Sequence, residues 1–116
     1  MSTVHRIEAF VRRKRIPAVL HALRDAGACR FYVTEVHAHG SGVDPEHVSY
    51  SLVEEEGYTK KARIEVLCEE DRVPDVLEAV RGAASTGHRG DGIVLVSPVA
   101  GVVSIRTGDR DGLALL

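Results

Sequence analysis

The string Thr86-Gly87-His88-Arg89-Gly90-Asp91-Gly92 has the composition of an anion-binding loop. Gly90 and Gly92 can adopt positive φ at no steric cost, so successive backbone amides can turn toward one point and form a nest for an anion. Arg89 would add positive charge there. The string therefore predicts a phosphate site, with an ordinary Gly-Asp-Gly turn as the alternative.

A second basic group for the same chemistry lies in the string Arg106-Thr107-Gly108-Asp109-Arg110. A guanidinium is a planar fork that can donate two hydrogen bonds at once to a phosphate or a carboxylate. We therefore expect Arg106 either to bind an anion or to lie in a surface turn.

The histidines point to a competing chemistry. His37 and His39 are two residues apart, so on an extended chain they point the same way. His47 and the acidic residues 54–56 lie in the same segment. Imidazoles together with carboxylates suit zinc or copper. A trimeric metal-binding or metal-tolerance protein that uses these histidines is therefore an alternative function, and solvated loop histidines are the simpler interpretation.

The sequence offers little for catalysis. His21 and His88 have no Ser or Cys nucleophile at a usable spacing, and Asp91 is best explained as a turn residue. We predict that the chain is not an enzyme. An oligomer that binds no ligand is a further alternative.

Composition restricts the class of protein. The 116 residues fit one domain, 1–116, and the net charge of −2 argues against nucleic acid as the partner. No apolar run approaches the ~20 residues that span a bilayer, and the N-terminus has no signal-peptide core. Cys29 and Cys68 lack CxxC spacing, which indicates reduced thiols and a cytoplasmic location.

The chain contains the same pattern twice. Alternation predicts a strand over Val4–Arg12, and the spacing of Ile16, Val19, Leu20 and Leu23 then predicts a helix. A strand follows over 31–37. The second copy has a strand over 61–68, a helix, and a strand over 93–96.

Local signals bound these helices. Pro17 and Gly27 mark the start and end of the first helix. In the second helix the apolar stripe is Val73, Val76, Leu77 and Val80, with Pro74 in the first turn and Asp71 as the predicted cap. A short fifth strand is expected over 102–106. The result is an α+β fold of the ferredoxin-like βαββαβ type, an antiparallel sheet with both helices on one face.

This architecture leaves one sheet face without helices. Its predicted residues combine charged groups that can pair across strands with apolar ones, which favours an oligomer interface over a solvated face. They are Arg6, Glu8, Phe10, Arg63, Glu65 and Leu67.

Residues 38–60, between the second and third main strands, show no regular pattern. Their Gly, Ser, Asp and Pro content argues against a hidden core element. Loops of this length in small domains are usually functional. We interpret the segment as a docking loop, with a disordered insertion as the alternative.

These segments together resemble the PII family of nitrogen-regulatory proteins over nearly the whole chain. The two most specific matches are Thr86-Gly87-x-x-Gly90-Asp91-Gly92 and Ile105-Arg106-Thr107-Gly108. The length of the loop before Lys61 also resembles the family's T-loop. Further matches are Arg6-Ile7-Glu8-Ala9, Val33-Thr34-Glu35-Val36, Ile64-Glu65-Val66 and Val96-Ser97-Pro98-Val99.

The resemblance implies a homotrimer that binds an adenine nucleotide (ADP, AMP or ATP) in the clefts between subunits. It divides the chain into a T-loop of about 38–60, a B-loop of 86–92 and a C-terminal loop of 104–116. The T-loop would dock on a partner such as a membrane transporter or a metabolic enzyme. The implied nucleotide-binding residues are Gly40, Lys61, Glu65, Thr86, Gly87, Arg89, Gly90, Asp91, Gly92 and Arg106.

The sequence departs from the family pattern at four positions. Ile93 and Ser104 replace a Lys and an Arg that usually neutralise the triphosphate, which predicts that ADP or AMP binds more tightly than ATP. Gly42 replaces a Gln that helps to hold magnesium and 2-oxoglutarate, so the need for Mg is left open. Glu54 aligns with a Tyr that is modified in some members. We therefore expect neither 2-oxoglutarate sensing nor uridylylation.

Overall fold

The computed structural model describes residues 3–116, so residues 1 and 2 of the predicted domain lie outside the described residues. Within these residues, two helices accompany five strands. The strands are β1 (Val4–Arg12), β2 (Arg30–Ala38), β3 (Ser49–Ser51), β4 (Glu56–Glu69) and β5 (Gly92–Pro98), and the helices are α1 (Ile16–Asp25) and α2 (Val73–Ala84). Neither of these helices is long and apolar enough to cross a membrane.

The main sheet is antiparallel and has the order β2-β4-β1-β5, while β3 pairs only with β4. Ile7 of β1 lies opposite Val66 on one side and Val96 on the other. The predicted ferredoxin-like arrangement is confirmed, because both crossover helices return to the same face of the sheet.

The core lies between that face and the helices. Alternate residues of β1 and β4 point into it, and each helix contributes one apolar stripe. Full burial of each such side chain stabilises the fold by about 1.5–3 kcal/mol. The most deeply buried members are Ile7, Val11, Val19, Leu23, Ile64, Val66, Val76 and Val80.

The helix boundaries agree with the sequence signals except at Asp71. Both helices have Pro in the first turn, and Gly27 follows α1 with a φ of +82°. Asp71 does not cap α2, because it lies inside a 3₁₀ turn, Glu70–Arg72, that leads directly into the helix. The residue at the cap is Arg72, and its side chain makes no capping hydrogen bond.

The other face of the sheet carries the predicted cross-strand ion pairs. Arg63 Nε donates to Glu8 at 2.8 Å, and Glu65 lies 3.5 Å from Arg63 and 3.7 Å from Arg6. The register with β1 places Ile93 and Leu95 on this same face. We call this surface the open face.

The expected fifth strand over 102–106 is wrong. This segment folds into a turn in which the Ser104 amide donates to the Asp109 carbonyl at 2.8 Å, and a single bridge joins Val103 to Arg110. The chain then forms a 3₁₀ helix, Asp111–Leu115, that buries Leu115. The additional strand among the described residues is β3, which lies inside the T-loop.

Gly92 is required where the B-loop enters β5. Its φ is +111°, and a Cβ there would overlap the carbonyl oxygen of Phe10 on β1. We predict that Gly92→Ala costs at least about 1 kcal/mol, because the strand must shift or the backbone must remain strained. The change should lower Tm by about 4 °C or more. Gly101→Ala is the matched control, since no atom lies within 4 Å of its Cβ position. Equal Tm values for the two variants would contradict this account.

Candidate functional site

The B-loop is closed by one carboxylate, that of Asp91. It accepts hydrogen bonds from the amides of Thr86 at 2.8 Å and Gly87 at 2.9 Å, and another from the Thr86 hydroxyl. Burial alone would raise the pKa of Asp91, but these hydrogen bonds and Arg12 hold that pKa well below its usual range. The loop is therefore preorganised around an ionised carboxylate.

Arg12, at the end of β1, fastens this loop to the sheet. Its Nε donates to Asp91 at 3.0 Å, and another nitrogen donates to the Arg89 carbonyl at 2.7 Å. The same guanidinium donates to the carboxylate of Asp44 from the T-loop. Burial alone would lower the pKa of Arg12, but the two carboxylates raise it above its ordinary value.

Lys61 lies beneath the B-loop on β4, opposite Arg12 in the sheet register. It is 1% exposed, and its Nζ donates to the Gly90 carbonyl. Burial lowers the pKa of Lys61, and the nearby Arg12 lowers it further. The Lys61 ammonium is therefore held by the Gly90 carbonyl of the predicted phosphate loop.

The T-loop is more ordered than its composition indicates, and the prediction of no regular structure over 38–60 is wrong. A 3₁₀ turn forms at Gly40–Gly42, and β3 forms a hairpin with the first residues of β4. Sequence analysis missed this hairpin because the strands of the hairpin are short and mostly exposed. Such strands lack the apolar alternation of a core strand.

Asp44 anchors the base of the T-loop. Its amide donates to the Thr59 hydroxyl at 2.8 Å, and its carboxylate accepts from the amide of Glu46 and from His47 Nδ1, each at 3.0 Å. The pKa of Asp44 is about 2, lowered first by the Glu46 amide and further by His47 and Arg12. Asp44 and Arg12 also form part of the wall of a cavity of about 620 Å³.

A separate cluster of side chains joins the end of β2 to the T-loop. His37 Nδ1 donates to Glu54 at 2.8 Å and its ring stacks on Tyr58 at 3.8 Å. His39 Nε2 bonds the other oxygen of Glu54, and its Nδ1 lies 3.1 Å from the Gly57 carbonyl. We call this arrangement the histidine clasp.

The geometry does not support the metal alternative. Across residues 3–116, no group of three or more His, Cys, Asp or Glu side chains is arranged to hold a metal ion. His37 and His39 bond Glu54, whereas His47 bonds Asp44, so the three predicted ligands are divided between two separate places.

The structure brings together only part of the predicted nucleotide site. Thr86, Gly87, Arg89, Gly90 and Asp91 form one loop over Lys61, and Gly92 connects that loop to β5. No hydrogen bond or ion pair among residues 3–116 joins the remaining three to this loop: Gly40 begins the 3₁₀ turn, Glu65 pairs on the open face, and the exposed guanidinium of Arg106 has no ion-pair partner in that range.

Sequence reasoning missed Arg12 and Asp44. The only local signals were an arginine at the end of a predicted strand and an Asp-Pro pair that favours a turn. Neither signal indicates that the two side chains meet.

The histidine clasp should titrate. A hydrogen bond to Glu54 is the main cause that raises the pKa of His39 above 6.5, and His37 and His39 in turn lower the pKa of Glu54 below 4.5. The clasp therefore contributes its full stabilisation of the T-loop between pH 4.5 and pH 6.5, the ordinary pKa values of the two groups. Its contribution is lost as pH rises through the raised pKa of His39.

We predict an NMR titration midpoint for His39 above 6.5, and a lower midpoint in Glu54→Gln because the charged partner is gone. Glu55→Gln is the matched control, since Glu55 makes no contribution to the His39 shift. The clasp has been misassigned if Glu54→Gln and the parent share one midpoint.

The comparisons with known sequences agree with this geometry. The family model "Nitrogen regulatory protein P-II" matches residues 4–109. The P-II protein of Azospirillum brasilense is 37% identical over 112 residues, which cover 95% of this chain and 98% of that protein. The P-II homologue of Arabidopsis thaliana is 34% identical over 94% of this chain, and this chain spans only 56% of its length.

Solved structures give the same result. Arabidopsis thaliana PII bound to citrate superposes with a TM-score of 0.80 at 32% identity, over 97% of this chain and 92% of that one. The Bacillus subtilis GlnK–ATP complex has a TM-score of 0.77 at 22% identity, over 97% and 98%, which supports the fold alone. The predicted resemblance is confirmed, and this chain belongs to the P-II family of nitrogen regulatory signalling proteins.

Proposed function

We propose that this P-II protein binds an adenine nucleotide at the B-loop, in clefts between the subunits of a cytoplasmic homotrimer. The observation that carries the proposal is the preorganised B-loop. Its closure by Asp91 holds Gly90 with a positive φ of +96°, while Lys61 holds the loop from below. A rigid glycine-rich loop of this kind suits an anion. The protein acts as a regulator rather than an enzyme.

The ligands named for two solved neighbours are both anions. GlnK of Bacillus subtilis is described as a complex with ATP, and Arabidopsis PII as bound to citrate. We infer that the exposed guanidinium of Arg106 contacts the ligand of a neighbouring subunit.

The charge of the site favours ADP or AMP over ATP. Ile93 and Ser104 supply no cation where the family pattern has two, and the charges of Arg12 and Lys61 are already used within the protein. Each additional phosphate brings negative charge that these positions do not compensate. The same reasoning, with Gly42 in place of Gln, predicts no response to 2-oxoglutarate.

The tip of the T-loop is suited to docking on a partner protein. Tyr50, Leu52 and Val53 are 64%, 86% and 95% exposed, an apolar surface on a hairpin that extends away from the core. We expect the partner to be a transporter or a metabolic enzyme.

Calorimetric titration tests the nucleotide proposal directly. ATP, ADP and AMP are titrated with and without magnesium, 2-oxoglutarate and bicarbonate. Tighter binding of ADP or AMP than of ATP is expected. Tight ATP binding that 2-oxoglutarate enhances would refute the selectivity, and no binding of any nucleotide at millimolar concentration would refute the proposal itself.

Restored cations should restore ATP binding. We predict that Ile93→Lys and Ser104→Arg each tighten ATP binding about tenfold and AMP binding less than about threefold, because one charge-assisted hydrogen bond contributes about 1.5–3 kcal/mol. Ile93→Met is the size-matched neutral control. A lysine that tightens AMP and ATP equally would show that position 93 does not face the terminal phosphates.

The open face is the expected trimer interface. Tyr32 and Leu95 are 50% and 49% exposed there, large apolar side chains open to solvent on a sheet surface. We predict that Leu95→Lys shifts the mass measured by analytical ultracentrifugation from three chains toward a single chain of 12.6 kDa, because it would bury an unpaired charge. Leu52→Lys, at the T-loop tip, should stay trimeric. A trimeric Leu95→Lys would exclude this face.

A further inference from the structure

Asp44 is unusual in the T-loop because it is buried. The carboxylate is 6% exposed in a segment where most side chains are open to solvent. Three residues hold Asp44 in this position. Its amide donates to the Thr59 hydroxyl, and its carboxylate accepts from the Glu46 amide and from His47 Nδ1. These contacts fix where the negative charge of the carboxylate lies.

That charge lies against the B-loop. Arg12 donates to Asp44 and to Asp91 at once, and it also donates to the Arg89 carbonyl. The backbones of the two loops are also close together, because a Cβ placed on Gly90 would lie 3.1 Å from the Cβ of Asp44. The T-loop base and the B-loop therefore meet at Asp44.

The local charges cancel. Arg12 and Lys61 supply two positive charges, and Asp44 and Asp91 supply two negative ones. Asp91 is required to close the B-loop, as its bonds to Thr86 and Gly87 show. Asp44 makes no bond to the B-loop amides. Without its charge, an anion at the B-loop would meet a net positive site.

We propose that Asp44 is an internal anion that ties the T-loop base to the B-loop and sets how many phosphates the site accepts. The inference rests on the proposed nucleotide function and deepens it. A phosphate held at the B-loop lies beside Arg12, which donates to Asp91 and to the Arg89 carbonyl. Each further phosphate therefore competes with Asp44 for that guanidinium. AMP leaves the contact intact, and ATP must displace it.

Displacement of Asp44 loosens the T-loop. Among residues 3–116, Asp44 is the only T-loop residue whose side chain hydrogen-bonds or ion-pairs with Arg12. Because coupling between two sites is reciprocal, a ligand that releases Asp44 must bind more tightly once Asp44 has been released by mutation. The charge of the bound nucleotide thereby determines whether the T-loop base is held at Arg12 or released.

The test removes the charge and keeps the shape. In Asp44→Asn, calorimetry should show ATP binding at least about tenfold tighter than in the parent and AMP binding changed by less than about threefold. Glu46→Gln is the matched control: it removes an exposed acid two residues away that lines the same cavity and makes no bond to Arg12. Should Asp44→Asn fold poorly by circular dichroism, Asp44→Ser replaces it.

A second measurement needs no nucleotide. Hydrogen–deuterium exchange of the ligand-free trimer should be faster over residues 43–53 in Asp44→Asn than in Glu46→Gln. In the parent, saturating ATP should accelerate exchange over the same residues and AMP should not.

The outcomes separate the two proposals. A parent that binds no nucleotide refutes the proposed function and with it the selectivity role, while the ligand-free exchange still decides whether Asp44 ties down the T-loop. A parent that binds nucleotide, with the same ATP-to-AMP ratio in Asp44→Asn and Glu46→Gln, overturns the present inference alone.

Discussion

The arrangement of the site depends on the guanidinium of Arg12. It joins the end of β1 to the B-loop through Asp91 and to the T-loop through Asp44. Exposed ion pairs contribute little to stability, but here the side chains of Arg12 and Asp44 are 17% and 6% exposed. Removing any member leaves a partly buried charge without its partner, which is costly. The network therefore fixes the two loops relative to each other and to the sheet.

In the proposed function, this shared cation couples a ligand at the B-loop to the T-loop. The B-loop and the T-loop use the same donor, so a change in what Arg12 contacts alters the energy of both at once. No relay of core side chains is required between them, because the two-state element is the contact itself. The core of Ile7, Ile64 and Val80 provides the rigid frame on which that contact is set.

The sequence predicted what local periodicity determines. Alternation in β1 and the stripe of Val76 and Val80 gave the sheet and its helices, and the Gly-rich string located the B-loop. Prediction failed where tertiary contacts decide. Asp71 is of a residue type that commonly caps helices, but it lies in a 3₁₀ turn. Residues 102–106 have the sequence pattern of a strand, but they form part of a turn. The site could not be assembled from sequence, because Arg12 lies 32 residues from Asp44 and 79 from Asp91.

The two attachments of the T-loop respond to different signals. The pKa of Asp44 is about 2, below its ordinary 3.8, so the stability it contributes is present above 3.8 and is lost only as pH falls toward 2. His39 has a raised pKa, so the clasp weakens as pH rises above 6.5. Near neutral pH, protons can therefore adjust the clasp but cannot release Asp44. Release of the T-loop base then requires a competing anion at Arg12, and in the proposed function that anion is a nucleotide phosphate.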